Sequence, residues 1–186
     1  MCFFNLKNNI LNFTTIKTLN TTLIAIIFTI AICNAQSGVS FSLHQDVKFA
    51  LIGDDARGYK AGTIDLLARF KMNGNQMKYG YVVVFTEFEY AEILGTYKRY
   101  SVNVGYVLNK LIVDDFEVNA SLGWGWIDRY GKTMFSFGGS SEISYKLTDN
   151  LKVSLLGQLT ERKDLMWLWG KNEIKPSLFF GMEYQF

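Results

Sequence analysis

From residue 39 onward the dominant period of the apolar side chains is two, not 3.6, and that period points to strands. Successive residues of a strand face opposite sides of a sheet, whereas a helix groups its apolar residues at spacings of three and four. The stretch from Phe135 to Leu147 is the clearest case. Phe135, Phe137, Gly139, Ser141, Ile143, Tyr145 and Leu147 share one side, and Ser136, Gly138, Ser140, Glu142, Ser144 and Lys146 share the other. Tyr100 to Leu108 repeats the pattern. So does Phe116 to Trp126, where Phe116, Val118, Ala120, Leu122, Trp124 and Trp126 oppose Glu117, Asn119, Ser121, Gly123 and Gly125.

Carried along the chain, the alternation predicts eight strands at 39–52, 61–72, 77–89, 97–109, 114–127, 133–147, 151–163 and 174–186. In the third, the run Tyr79, Tyr81, Val83, Phe85 slips near Thr86-Glu87-Phe88, where a bulge or an early exit into a loop would shift the register. The connections alternate in length. Residues 73–76, 110–113 and 148–150 are short turns of polar or turn-forming residues. Residues 53–60, 90–96, 128–132 and 164–173 are longer. Short turns at one end, longer loops at the other and an even strand count describe a membrane barrel with both termini on the periplasmic side.

Residues 1–35 differ from all that follows. They contain no Asp, Glu or Gly, and their only charges, Lys7 and Lys17, precede an apolar run from Leu23 to Ile32 and the ending Cys33-Asn34-Ala35. Basic, then apolar, then small residues is the order of a secretory signal peptide, and the run is well short of the roughly 20 residues a spanning helix needs. Cleavage between Ala35 and Gln36 is expected; a lipoprotein cut at Cys33 is disfavoured by the bulk of Ile32. The expected organisation is a cleaved signal peptide, 1–35, and a barrel domain, 36–186. Both cysteines, Cys2 and Cys33, leave with the signal, so the domain must gain stability from packing or from closing a sheet on itself. The whole chain carries a net charge of +2, and losing Lys7 and Lys17 makes the domain neutral. No nucleic-acid partner is expected.

The polar side of the strands has mixed signs. Eight strands enclose an interior just wide enough for side chains to fill, and buried charges are tolerated there when paired. A lumen network of His44, Asp46, Lys48, Asp65, Arg69, Arg99, Glu117, Glu142, Lys146 and Glu183 is therefore expected. The alternative is a soluble exported lipocalin-like ligand binder, with these residues in water and the apolar face inside. The aromatics favour the membrane. Trp124, Trp126, Trp167, Trp169 and Tyr130 lie at strand ends beside the longer loops, and Tyr106, Phe116, Tyr145, Tyr184 and Phe186 near the short turns. Two aromatic girdles around an aliphatic band suit the two interfaces of a bilayer.

The last segment, Leu178-Phe179-Phe180-Gly181-Met182-Glu183-Tyr184-Gln185-Phe186, sets Leu178, Phe180, Met182, Tyr184 and Phe186 on one face and ends in Phe. It resembles the C-terminal signature of outer-membrane barrels. Tyr145-Lys146-Leu147-Thr148-Asp149-Asn150-Leu151 resembles a periplasmic hairpin of small barrels of the OmpA/OmpX and opacity-porin type. The resemblance implies an all-β, eight-stranded antiparallel up-and-down transmembrane β-barrel, monomeric in outer-membrane lipid. It also implies an assembly signal at Phe180, Met182, Tyr184 and Phe186, read by the barrel-assembly machinery after escort by periplasmic chaperones. The outer loops are shorter than in OmpX-type barrels, which weakens an adhesive role.

Catalytic constellations are scarce. With one histidine and no thiolate in the domain, a His or Cys zinc site is excluded and no cofactor is expected. Barrel enzymes of the palmitoyltransferase and deacylase types act on lipid A through a His, a Ser and an acid, which makes His44 the one candidate base. Its place near the start of strand one, with Asp46 on the same face, reads more simply as lumen network. Asp54-Asp55 and Asp114-Asp115 read as solvated turns rather than calcium sites. Gly123-Trp124-Gly125-Trp126 lies within a strand, so it is no phosphate loop; its glycines would make room for bulky lumen neighbours. The expected function is a non-enzymatic integral outer-membrane barrel with a structural or envelope-interaction role. A narrow passive pore, a soluble binder and a lipid A-modifying enzyme using His44 are the alternatives.

Overall fold

The computed structural model describes residues 38–54, 58–93, 95–109, 115–170 and 173–186, all within the compact unit Gln36–Phe186. The expected signal peptide, Asp55, Asp114 and the turn at 110–113 lie outside the described residues. Eight strands run in order: β1 (Val39–Asp46), β2 (Asp65–Gln76), β3 (Gly80–Ala91), β4 (Tyr97–Leu108), β5 (Phe116–Arg129), β6 (Lys132–Lys146), β7 (Leu151–Arg162) and β8 (Glu173–Gln185). Each pairs antiparallel with its neighbours, and β1 meets β8 from Ser40↔Gln185 to Asp46↔Phe179, closing the barrel. The Phe186 amide donates to the Val39 carbonyl at 2.9 Å, so the last residue completes the seam. Closure leaves no free edge along this seam, which suits a domain without disulfides.

Two of the longer connections contain short helices that the alternation concealed. The first strand was expected to reach residue 52 but ends at Asp46, whose side chain accepts the Phe49 amide and caps α1 (Val47–Leu51). An N-cap carboxylate satisfies an amide that a helix would otherwise leave unpaired, so the strand turns away there. The second, α2 (Lys163–Trp169), occupies part of the expected loop 164–173 and ends at Gly170 in the left-handed conformation. The expected loop 128–132 shrinks to the pair Tyr130-Gly131. Both have positive φ, 51° and 71°, as in the tight hairpin turn whose twist matches its strands.

The expected slip in the third strand is absent. Pairing of β3 with β4 runs unbroken from Gly80↔Leu108 to Ala91↔Tyr97. The register shift lies instead in β2, between Asn73 and Gln76. What changes along β3 is chemistry, not phase. Its inner row reads Tyr81, Val83, Phe85, Glu87, Glu89, and its outer row Val82, Val84, Thr86, Phe88, Tyr90. Because both rows are apolar over the first half, the period-two signal vanishes there and reappears as an apparent slip.

The barrel is turned inside out relative to a soluble protein. Outside stand Phe41, Leu43, Phe70, Leu122, Phe137, Ile143, Leu155, Leu159, Phe180 and Met182, all substantially exposed. Inside are serines, acids and bases, with small apolar clusters between them. One comprises Tyr81, Val83, Phe85 and Val107, a second Leu67, Leu156 and Phe179, and a third Ala91, Tyr97 and Ile127.

Candidate functional site: the charged interior and its outer mouth

The interior rows of β2, β6 and β8 bring oppositely charged side chains face to face across the lumen. Arg69 lies at its centre. Its Nε donates to Glu87 at 2.7 Å, one terminal nitrogen donates to Glu142 at 3.0 Å, and the other reaches the Ser140 hydroxyl at 2.9 Å. The guanidinium also stacks on Phe85, 4.8 Å from the ring centre. Lys71 bridges Glu142, at 2.9 Å, and Glu183, which also accepts from Ser40. Glu87 completes its shell with Arg99 at 3.3 Å and Ser101 at 2.8 Å. These groups are almost wholly buried. Charges so enclosed are tolerable because each carboxylate named here meets a cation and further donors.

Toward the short-turn end a second group forms around Glu117, which accepts from Lys152 at 2.6 Å and from Tyr81 at 3.5 Å. Between the two groups the free space shrinks to about 10 Å³, among residues including Lys71, Tyr81, Asn119 and Glu183. That is about the volume of a single probe-sized water position and less than a solute needs. Glycines allow this packing. A side chain at Gly138 would meet the Arg99 guanidinium at 2.7 Å, and one at Gly123 would collide with the Asn103 amide. The glycines between the tryptophans of β5 thus face the lumen, while Trp124 and Trp126 face outward.

His44 donates to or accepts from Ser154 through Nε2 at 2.8 Å and lies 3.5 Å from Glu142 through the same nitrogen. A hydrolytic triad uses the two ring nitrogens separately, one for the nucleophile and one for the acid. Here Nδ1 has no partner, all three groups are buried, and Asp46 is not bonded to the imidazole. The arrangement ties β1 to β6 and β7 across the lumen.

Of the expected network, His44, Arg69, Arg99, Glu117, Glu142 and Glu183 come together in the interior. Asp46 and Asp65 are buried but line the outer mouth, away from Arg69. Lys146 stands at the rim, its side chain 38% exposed and 4.0 Å from Glu117. Lys48 does not join the lumen. Once β1 ends at Asp46, Lys48 falls on α1, its side chain 55% exposed and 3.2 Å from Asp54. Glu87 and Glu89 escaped the sequence reading because they sit on β3, where the phase was obscured. Arg129 extends the inner row of β5 one step of two beyond the expected end at residue 127, and Arg162 lies on the inner row of β7 inside the expected strand 151–163.

The long-loop end is a vestibule of about 620 Å³. On one wall Arg162 forms a two-pronged pair with Asp164, both contacts 2.8 Å, and Arg129 approaches the same carboxylate at 3.3 Å. Arg162 also covers the Tyr97 ring at 4.1 Å. This cluster holds α2 over the mouth and buries Leu165. Met166, Trp167 and Trp169 remain about half exposed, with Trp167 against Tyr130 and Lys132. At the opposite end Phe116 packs on Tyr145 at 4.9 Å and Tyr184 on Phe186 at 5.2 Å. Tyr106 is half-buried near the same end.

No protein family and no curated protein matches the chain in sequence. Solved structures match it in fold. The outer membrane protein Ail of Yersinia pestis, in a phospholipid bilayer nanodisc, superposes with a TM-score of 0.53 at 14% identity, covering 81% of this chain and 100% of that one. The crystal structure of Ail gives 0.45 at 15% identity over 81% and 97%, and neisserial surface protein A gives 0.41 at 12% over 81% and 94%. The fold is that of a closed eight-stranded transmembrane barrel, as Ail adopts in the nanodisc.

Proposed function

We propose that this protein is a non-enzymatic integral barrel of the outer membrane, with a lumen closed by ion pairs and a structural or envelope-interaction role at its outer end. The observation that carries this reading is the inversion of the barrel wall: apolar side chains face out around the circumference while the interior holds paired charges. In water that outer band would be a very large exposed apolar surface, far beyond what monomeric soluble proteins display. In lipid it is the required arrangement. The same inversion counts against a lipocalin-like binder, whose apolar face points inward. The filled lumen counts against a pore, and the one-sided contacts of His44 against a lipid A enzyme.

The reading is tested by fractionation and conductance together. The protein should be recovered with outer membranes, should migrate faster on SDS gels before heating than after, and should add no conductance to a planar bilayer. Recovery as soluble periplasmic material would overturn the membrane reading; steady conductance would overturn the closed lumen.

Outer-membrane lipid is then the surrounding partner, and the barrel-assembly machinery and periplasmic chaperones are the transient ones. Phe180, Met182, Tyr184 and Phe186 form an exposed stripe on β8 that such machinery would read. Deleting Phe186 should impair assembly more than any loop substitution, because it removes both the end of that stripe and the bond to Val39. Comparing membrane-inserted and degraded protein in cells measures this, and normal insertion of the truncated chain would contradict it.

A further inference from the structure

The vestibule carries a charge imbalance that the rest of the interior does not. Among the described residues, eight carboxylates and five Arg or Lys side chains are buried, and Arg162, with its side chain 16% exposed, adds a sixth cation. The surplus of acid is localised. Glu87, Glu117 and Glu183 are each bonded to cations, Glu142 has Arg69 and Lys71 on one oxygen, and Asp164 is shared by two arginines. Asp65 and Glu89 differ. Asp65 Oδ1 and Glu89 Oε2 have no hydrogen-bond donor, although both residues are about 95% buried. The nearest Arg99 nitrogen stands 3.9 Å from Glu89, beyond bonding distance.

These two acids are neighbours on adjacent strands, since Leu67 pairs with Glu89 and Asp65 with Ala91. Both line the vestibule, as does Tyr97, whose hydroxyl is buried and also lacks a partner. Unpaired buried polar atoms are costly, and three of them around one cavity mark a place for a bonding partner. The partner must bring positive charge to the acids. A bare metal ion fits poorly: among the described residues no group of three metal-binding side chains is placed to hold one. Phe49, Ile93, Leu165 and Leu178 give the cavity an apolar stretch of wall, beside Arg129 and Arg162, which are held by Asp164.

We propose that the vestibule binds a small organic cation, a primary ammonium on a short apolar stem, with the ammonium donating to Asp65, Glu89 and the Tyr97 hydroxyl. An ammonium has three donors and no acceptor, which matches three oxygens without a donor on three adjacent strands around one cavity. The stem lies along the apolar wall, and the cation removes the local surplus of negative charge. The proposal uses the membrane reading only to say that the vestibule opens outward; binding itself is tested in detergent, so a failure here leaves that reading standing.

The purified protein in micelles is titrated with butylammonium chloride, following the indole proton of Trp169, which lines the same cavity. Saturable shifts are expected with butylammonium and not with butyrate or butanol; ammonium chloride should bind at least about tenfold more weakly for want of the stem. The double variant Asp65→Asn with Glu89→Gln should bind butylammonium at least about tenfold more weakly. That variant should also raise the urea midpoint of unfolding, because it removes unpaired buried charge, so loss of binding would not reflect loss of fold. Equal binding by butanol or butyrate, full binding by the double variant, or no saturable shift would each overturn the proposal.

Discussion

Glu142→Ala should lower the stability of the folded barrel by about 3–5 kcal/mol, the range for breaking a buried ion pair from one side. Glu142 is 1% exposed and receives Arg69 at 3.0 Å and Lys71 at 2.9 Å on one oxygen, with His44 at 3.5 Å from the other. Without it two buried cations stand side by side on the inner row of β2, in a lumen with about 10 Å³ of free space nearby. Lys71 retains Glu183, and Arg69 retains Glu87, so the barrel should still close. Urea titration in micelles, read by heat-modifiable migration, measures the loss. A shift below about 1 kcal/mol, the scale of an exposed salt bridge, would mean that water fills the lumen and screens its charges.

Leu122→Arg should cost about 2–4 kcal/mol in a lipid bilayer, the range for a cation on the lipid face near the midplane of a barrel. Leu122 lies near the middle of β5, faces outward and is 75% exposed. On a soluble barrel the same substitution would be close to neutral, since a surface leucine in water gives up little when replaced. The comparison therefore separates the membrane and soluble readings in one measurement. Ser121→Arg, on the inner face one residue away, should fail for a different reason: it would enter the packed lumen beside Ser140, 2.7 Å from the present hydroxyl. Unfolding from vesicles measures both effects, and a neutral Leu122→Arg would remove the chief support for the membrane reading.

How far the alternation could be trusted depended on the contrast between its two rows. In β5 every inward residue from Glu117 to Gly125 is small or polar and every outward one from Val118 to Trp126 is apolar. In β6 all charge lies inward while Phe135, Phe137, Ile143 and Tyr145 face out; the expected faces match the structure. In β3 both rows are apolar from Tyr81 to Phe85. Period two then carries no face information, and the inward Glu87 and Glu89 went unrecognised. At the end of β1 the pattern Val47, Phe49, Leu51 continues to alternate although the backbone has become helical. A single carboxylate, Asp46, capping the Phe49 amide, ended the strand against the pattern.

By itself the sequence determined the number of strands, their order, the closed sheet and which row of most strands is charged. Strand periodicity is local, and one-dimensional spacing is enough to express it. Only the tertiary structure decided which charges meet. Arg69 reaches Glu142, 73 residues away, and Lys71 reaches Glu183, 112 residues away, because closure brings β2, β6 and β8 around one narrow lumen. It also decided that Asp65 Oδ1 and Glu89 Oε2 receive no hydrogen bond. The lack of a donor at these two oxygens follows from the height at which β2 and β3 end beside the vestibule, a property of register and closure that residue order alone does not contain.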